Sequence, residues 1–288
     1  MSEKIRVMKF GGTSVGDAEC IRSAASIVAR ARSESSVVVV VSAMSGVTNR
    51  LVEAAHRSAT GDKSVAVSLA DALRAQHAAA VAALIVHDAK AAQLAAEIEQ
   101  IIGEARDYCS ATALLRELTP RALDALSSVG ERLSARLVAG ALKELGMQSV
   151  AIDATRLIAT TDEHGQAEPL MDLTRERVAG ELNLLLAEGT IPVVTGFIGA
   201  TLEGALTTLG RGGSDYSATI LGAALDAEDI IIWTDVDGVM TADPRLVPEA
   251  RTLREISYNE AAELAYFGAK VLHPKTLRPV AGTGTTVW

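Results

Sequence analysis

Short apolar runs of strand length alternate along the chain with longer stretches in which apolar residues recur at helical spacing. Ile5 to Phe10, Val37 to Ser42, Ser149 to Asp153, Ile191 to Thr195 and Ile230 to Thr234 predict strands. The intervening periodic stretches predict helices that cross over between them. Strands and helices in that order are the pattern of an α/β fold built on a mostly parallel sheet.

The helices carry end signals as well as periodicity. Leu133, Leu137, Ala141, Leu142 and Leu145 form one apolar stripe, and Gly146 stands where a left-handed residue closes a helix. Thr119 followed by Pro120 predicts an N-cap and a first helical residue. The interval from about Lys63 to Leu118 is rich in alanine and nearly free of glycine, which predicts a helical excursion from the sheet. Thr161 to Glu168 predicts a loop and Thr201 to Thr208 a hairpin.

Composition narrows the function. The chain has 288 residues, long enough for one large domain or two closely packed lobes. Hydrophobic residues make up 49% but aromatic ones only 3%, and the net charge is −9. That balance argues against a nucleic-acid surface, which needs basic patches and stacking rings. Cys20 and Cys109 lack the close spacing of a metal or redox motif, so the expectation is a reducing, cytoplasmic setting. No apolar run reaches the length of a membrane span, and the N-terminus lacks an apolar signal core. No membrane partner is expected.

Three glycine-containing turns follow strands. Lys9-Phe10-Gly11-Gly12-Thr13-Ser14-Val15-Gly16-Asp17 runs from the first strand into a helical stripe, the geometry in which backbone N–H groups receive phosphate. It is not a Walker A loop, because Asp17 stands where that motif has lysine. Taken alone, a Gly-Gly turn is more often just a tight turn. Gly210-Arg211-Gly212-Gly213-Ser214-Asp215 opens another helix, and an arginine in a glycine frame can grip a carboxylate through two parallel hydrogen bonds. Asp215 read alone is also a plausible N-cap. Thr234-Asp235-Val236-Asp237-Gly238-Val239-Met240 follows the last apolar strand and lacks the calcium-loop spacing of an EF-hand, leaving a nucleotide-contacting turn as the better reading.

Together with Ser42-Ala43-Met44-Ser45-Gly46-Val47-Thr48-Asn49, Ser128-Val129-Gly130-Glu131-Arg132 and Phe267-Gly268-Ala269-Lys270-Val271-Leu272-His273-Pro274, these segments resemble the aspartate kinases of the amino-acid kinase superfamily. The resemblance runs from about Val7 to Pro279. It implies a three-layer α/β/α sandwich, with an amino-acid lobe over about residues 1–200 and a nucleotide lobe over about 201–288. It also implies transfer of the ATP γ-phosphoryl group to the side-chain carboxylate of L-aspartate, the first step toward lysine, threonine and methionine. The partners implied are L-aspartate and MgATP, with the metal held mainly by the phosphates and by no dedicated protein metal site. Whether copies associate into a homo-oligomer stays open. Relatives commonly continue into small regulatory domains, and the expectation for this sequence, which stops at Trp288, is a catalytic domain without them.

Carried over by position, Lys9 looks like the phosphate-bridging lysine and Asp215 like the carboxylate that organises the cations. Arg211 resembles the clamp on the substrate carboxylate, Glu131 the acceptor for its ammonium and Thr48 a further contact, with Gly212, Gly213 and Ser214 beside them. Gly11, Gly12, Thr234, Asp235, Met240, Arg245, Lys270 and Val271 match the nucleotide contacts. Met240 departs from the pattern, since the family often has tyrosine there; methionine can cover a base but offers no hydroxyl. The residue chemistry leaves simpler roles open: Ser128-x-x-Glu131 has capping-box spacing, Arg245 and Lys270 alone would be surface charges, and His273 before Pro274 reads as structural. Glu97, Glu99, Glu260 and Glu263 read as solvated helix faces. Rival readings are a superfamily kinase for another acid and a non-catalytic subunit of the same fold.

Overall fold

The computed structural model describes residues 4–236, 238–242, 246–266 and 272–288. Its central sheet has six parallel strands in the order β3 (Ser149–Ile152), β4 (Ile191–Thr195), β2 (Ser36–Val41), β1 (Ile5–Phe10), β7 (Asp229–Trp233) and β8 (Thr286–Val287). β2 shows why such a sheet needs two covering layers. All six of its residues are buried, Val37, Val39 and Val41 in one apolar cluster and Val38 and Val40 in the other. A strand of β-branched residues apolar on both faces is stable only between two layers of helix.

The first layer contains α1 (Ala18–Arg32), α2 (Val47–Ala59), α3 (Ser64–Leu84), α4 (Asp88–Leu115), α5 (Pro120–Ser127) and α6 (Val129–Glu144). On the opposite face lie α7 (Met171–Ala187) and α8 (Gly213–Ala224), joined by a 3-10 segment at Pro274–Val280 that packs on α8. α9 (Tyr258–Tyr266) lies against that segment. This is the three-layer sandwich expected from the sequence. The predicted strands are present, with ends displaced by a residue: β2 stops at Val41, β3 at Ile152 and β7 at Trp233.

The helical excursion forms as the α3–α4 hairpin. Thr119 caps α5, its Oγ1 accepting the Ala122 N–H at 3.1 Å. Gly146 has φ of 79°, as the end of α6 requires. The predicted hairpin pairs β5 (Ile198–Ala200) with β6 (Leu206–Thr208) in antiparallel register. Among the described residues no helix is long and apolar enough to cross a membrane.

One local reading is corrected and another extended. Ser128-x-x-Glu131 is not a capping box: Ser128 has helical φ and ψ, and its hydroxyl donates backwards to the Ala125 carbonyl at 2.7 Å. α5 runs almost directly into α6, so the box has no chain break to close. A real capping box stands at Ser257-x-x-Glu260, where Glu260 Oε2 accepts from Ser257 N–H at 2.9 Å and Ser257 Oγ accepts from Glu260 N–H at 3.2 Å. Glu260 is therefore a cap as well as a solvated residue.

Candidate active site

Alternation along β1 sets the first functional side chain. Met8 and Phe10 face the α1–α6 layer and Val7 faces α8, so Lys9 also points toward α8. There Lys9, only 7% exposed, brings Nζ to 2.6 Å from Asp215 Oδ1. Asp215 is not the N-cap of α8: Gly212 holds that position with φ of 71°, and Asp215 sits in the first turn. A buried lysine opposite a carboxylate at a helix N-terminus leaves positive charge available to an incoming anion.

The other candidates collect at the carboxyl ends of the four adjacent strands β4, β2, β1 and β7. In parallel sheets, ligands bind in the crevice at that edge. Gly11 and Gly12 follow β1, Ser42 follows β2, Phe197 lies two residues beyond β4, and Thr234 and Asp235 follow β7. The Gly11 N–H donates to the Trp233 carbonyl at 3.3 Å, and Ser42 N–H donates to the Phe10 carbonyl at 3.1 Å, so the turns are tied across the edge. One cavity of about 290 Å³ is lined by Lys9, Ser42, Phe197 and the run Gly210 to Asp215, which includes Arg211, Gly212, Gly213 and Ser214. A second of the same volume is lined by Gly12, Ser42 to Gly46, Thr48, Asn49 and Glu131. Ser42 borders both, making them two halves of one crevice.

Glu131 enters that crevice from the first turn of α6. It is 4% exposed, and its Oε2 has no hydrogen-bonding partner among the described residues. Burial pushes its carboxyl up to about 8, against the opposing pull of the Ala43 N–H, its own N–H and the Lys9 charge. The next residue, Arg132, fixes the helix by donating to Glu104 at 2.5 Å and to Asp153 at 3.2 Å, and Arg136 also pairs with Asp153. Gly130 is required for the approach of α6, since a Cβ there would lie 2.6 Å from the Ala43 Cβ.

Arg211 is exposed at the mouth, and Thr48 is half-buried in the Glu131 cavity. Thr234 and Asp235 are exposed and linked by a 3.1 Å hydrogen bond. Met240 pairs in antiparallel fashion with Thr252, in the segment after β7. Arg245, Lys270 and Val271, like Asp237, lie outside the described residues. His273 is structural, as read: its Nδ1 accepts the Lys275 N–H at 3.3 Å, and its Cβ occupies the place a Gly212 side chain would need.

Phe197 and Ser42 were given no individual role by the sequence reading. Phe197 takes φ of 71°, uncommon for a bulky residue, and its N–H donates to Ser217 Oγ at 2.9 Å. Its position just past a parallel strand was the available signal. A further cleft of about 220 Å³ lies between α4, α6 and β3, but none of its lining side chains has a buried polar atom without a partner.

A parallel sheet with a lysine–aspartate pair and glycine turns at its carboxyl edge is the setting of a phosphate-handling α/β protein, and the family model described as "Amino acid kinase family" matches residues 4–288. The chain belongs to that family. It is 40% identical over 289 residues to lysine-sensitive aspartokinase 3 of Escherichia coli, covering 100% of this chain and 61% of that protein. It is 38% identical over 277 residues to the chloroplastic aspartokinase 1 of Arabidopsis thaliana, covering 95% of this chain and 47% of the relative. The chain thus spans roughly half to three-fifths of the length of these relatives. The crystal structure of E. coli aspartokinase III in complex with aspartate and ADP matches with a TM-score of 0.86 and 39% identity, over 96% of this chain and 59% of that one.

Proposed function

We propose that this chain is the catalytic domain of an aspartate kinase, transferring the γ-phosphoryl group of ATP to the side-chain carboxylate of L-aspartate to give 4-phospho-L-aspartate. The observation that carries the reading is the buried carboxylate of Glu131, whose Oε2 has no partner among the described residues, opening into a crevice shared with Lys9, Arg211 and Asp215. A free amino acid supplies what each side of that crevice lacks. Its ammonium goes to Glu131 beside Thr48, and its α-carboxylate to Arg211 with the Gly212 to Ser214 backbone. The aspartate-and-ADP complex of the E. coli relative supports the same pair of ligands.

The acceptor needs no general base. An aspartate side chain has a pKa of about 3.9 and is already a nucleophile at neutral pH. The protein's task is to align it and offset charge on the transferring group. Lys9 and the Gly11-Gly12 turn do so from β1, and the N-terminus of α8 from the other side. Thr234, Asp235 and Met240, with Arg245, Lys270 and Val271, hold the nucleotide, dividing the chain near residue 200 into an amino-acid part and a nucleotide part. Mg²⁺ bound mainly to phosphate oxygens needs only one or two protein carboxylates. Asp215, whose Oδ1 lies 2.6 Å from Lys9 Nζ at the crevice, fits as one of them. When bound, the ion neutralises phosphate charge. Both cysteines are unpaired, as a cytoplasmic setting keeps them.

The test is ADP release with L-aspartate and MgATP, coupled to NADH oxidation, against glutamate and N-acetylglutamate as alternative acceptors. Activity with aspartate alone is expected, and Lys9→Ala should lower kcat on the order of 10²-fold or more while leaving a folded protein. Preference for another acid, or no turnover with any, sinks the assignment.

A further inference from the structure

The segment from Thr161 to Glu168 looks like an ordinary surface loop in sequence, yet both its ends and its middle are held. Thr161 N–H donates to the Glu168 carbonyl and Glu168 N–H to Thr161 Oγ1, closing the loop at its base. In the middle, His164 Nδ1 donates to Asp124 Oδ2 at 2.8 Å and Gly165 N–H donates to the same oxygen at 3.0 Å. Asp124 belongs to α5 and is 2% exposed. Its other oxygen accepts from Thr208 Oγ1 at 2.6 Å, at the end of β6 and two residues before Gly210.

On its other side the segment is tied to the α8 layer. Glu168 accepts from Tyr216 OH at 3.1 Å and pairs with Lys275 at 2.6 Å. The Ala167 N–H donates to the Thr208 carbonyl at 2.9 Å. Its backbone then lies directly under the arginine turn. Gly210 has φ of 78°, and a Cβ there would come within 3.0 Å of the Gly165 carbonyl oxygen. Asp124 spends a buried carboxylate on two strap donors and the strand that leads into Gly210. A carboxylate that is buried and fully hydrogen-bonded is costly to loosen, so the three groups it holds are held in one geometry.

We propose that residues 161–168 are a strap that sets the position of the Gly210-Arg211-Gly212 turn, with Asp124 and His164 as positioning residues for amino-acid binding. The strap bridges the α1–α6 layer, through α5, to α8 and the 3-10 helix, so the arginine turn is referenced to both faces of the sheet. The proposal rests on the aspartate-kinase reading only for the identity of the ligand; the mechanical claim stands apart from it.

The experiment compares wild type with His164→Ala, His164→Gln and Asp124→Asn in the full chain, by steady-state kinetics and by hydrogen exchange of the Gly210–Gly213 amides. His164 is in a loop, so His164→Ala keeps the test open even where Asp124→Asn does not fold. Loss of one hydrogen bond to a charged acceptor is expected to raise the aspartate KM in His164→Ala on the order of tenfold, with kcat and the ATP KM within about twofold. Exchange at Gly210–Gly213 should quicken without a change in β1 or β2. His164→Gln, which keeps an N–H donor, should restore most of both. Unchanged KM and exchange in His164→Ala, or equal losses in both KM values together with faster exchange throughout α5 and α6, overturn the strap. Should wild type lack turnover with aspartate, the functional reading falls, and the exchange measurement alone decides the strap in the same two directions.

Discussion

A carboxyl group buried with one oxygen left unpaired favours its proton, and Glu131, pushed up to about 8 with its Oε2 unpaired among the described residues, is in that condition when the crevice holds no amino acid. An ammonium beside it reverses the preference, because the ionised form is then the paired one. At pH 7 binding must therefore expel a proton. Between pH 6 and 8 the affinity for aspartate should rise by up to about tenfold per pH unit and level off above the empty-state value. Calorimetry in buffers of different ionisation enthalpy should show proton release, and Glu131→Gln should abolish it. A wild-type affinity flat from pH 6 to 8.5 would remove Glu131 from the ammonium site. Folding has the opposite preference: since the folded value lies above the unfolded 4.5, the stability contribution is full below about pH 4.5 and is lost as pH rises toward 8. Glu131→Gln should hence melt higher than wild type at pH 8, with little difference at pH 4.5.

On the scale of elements, five of the sheet's six strands and both layers of helix were legible because each uses a strong local signal; β8, two residues at the sheet edge, carries none. β2 is a run of valines, α5 has threonine before proline, and α6 ends in glycine. The glycine clusters were legible as turns, and the resemblance gathered them into one site. Three things were not readable, each because its cause is distant in sequence. The Ser128–Glu131 spacing misled, since whether a serine caps depends on whether the chain breaks there, and α5 does not break from α6. The left-handed backbone of Phe197 depends on contacts with α8 made 20 residues later. The strap hangs on Asp124, 40 residues before His164. α3 holds another case, His77, which is fully buried with Nδ1 2.7 Å from the Leu73 carbonyl and Nε2 without a partner among the described residues. Burial holds its ring below the usual histidine range, and Arg50 nearby adds to this. The stability it permits is complete above the unfolded value near 6.5 and is lost as pH falls below it. His77→Leu should narrow the gap in Tm between pH 7.5 and 5.5; an unchanged gap would trace the acid sensitivity to another group.

The whole molecule has two apolar clusters but one sheet, and the strands are shared. Val37, Val39 and Val41 complete the cluster under α1 to α6, while Val38 and Val40, from the same strand, complete the cluster under α7 and α8. Neither layer can leave without exposing the opposite face of β2 and β1 to water, so the two should unfold together although the chain is long for such behaviour. The two tryptophans make this measurable, because both stand at the β7–β8 edge of the sheet: Trp233 ends β7 and stacks on Phe10, of the cluster under α1 to α6, and Trp288 follows β8 with its Nε1 on Asp229. Leu182, buried in α7, lies in the other cluster. Leu182→Ala should cost about 2–5 kcal/mol by removing buried methyl groups and leaving a cavity. If the sheet joins the clusters as described, the denaturation midpoint followed by tryptophan fluorescence falls by the same amount as the midpoint followed by far-ultraviolet circular dichroism. A fluorescence midpoint that stays at the wild-type value while the dichroism midpoint drops would mean that the helical layer melts by itself, and that the crevice between the layers is held by less than the shared strands imply.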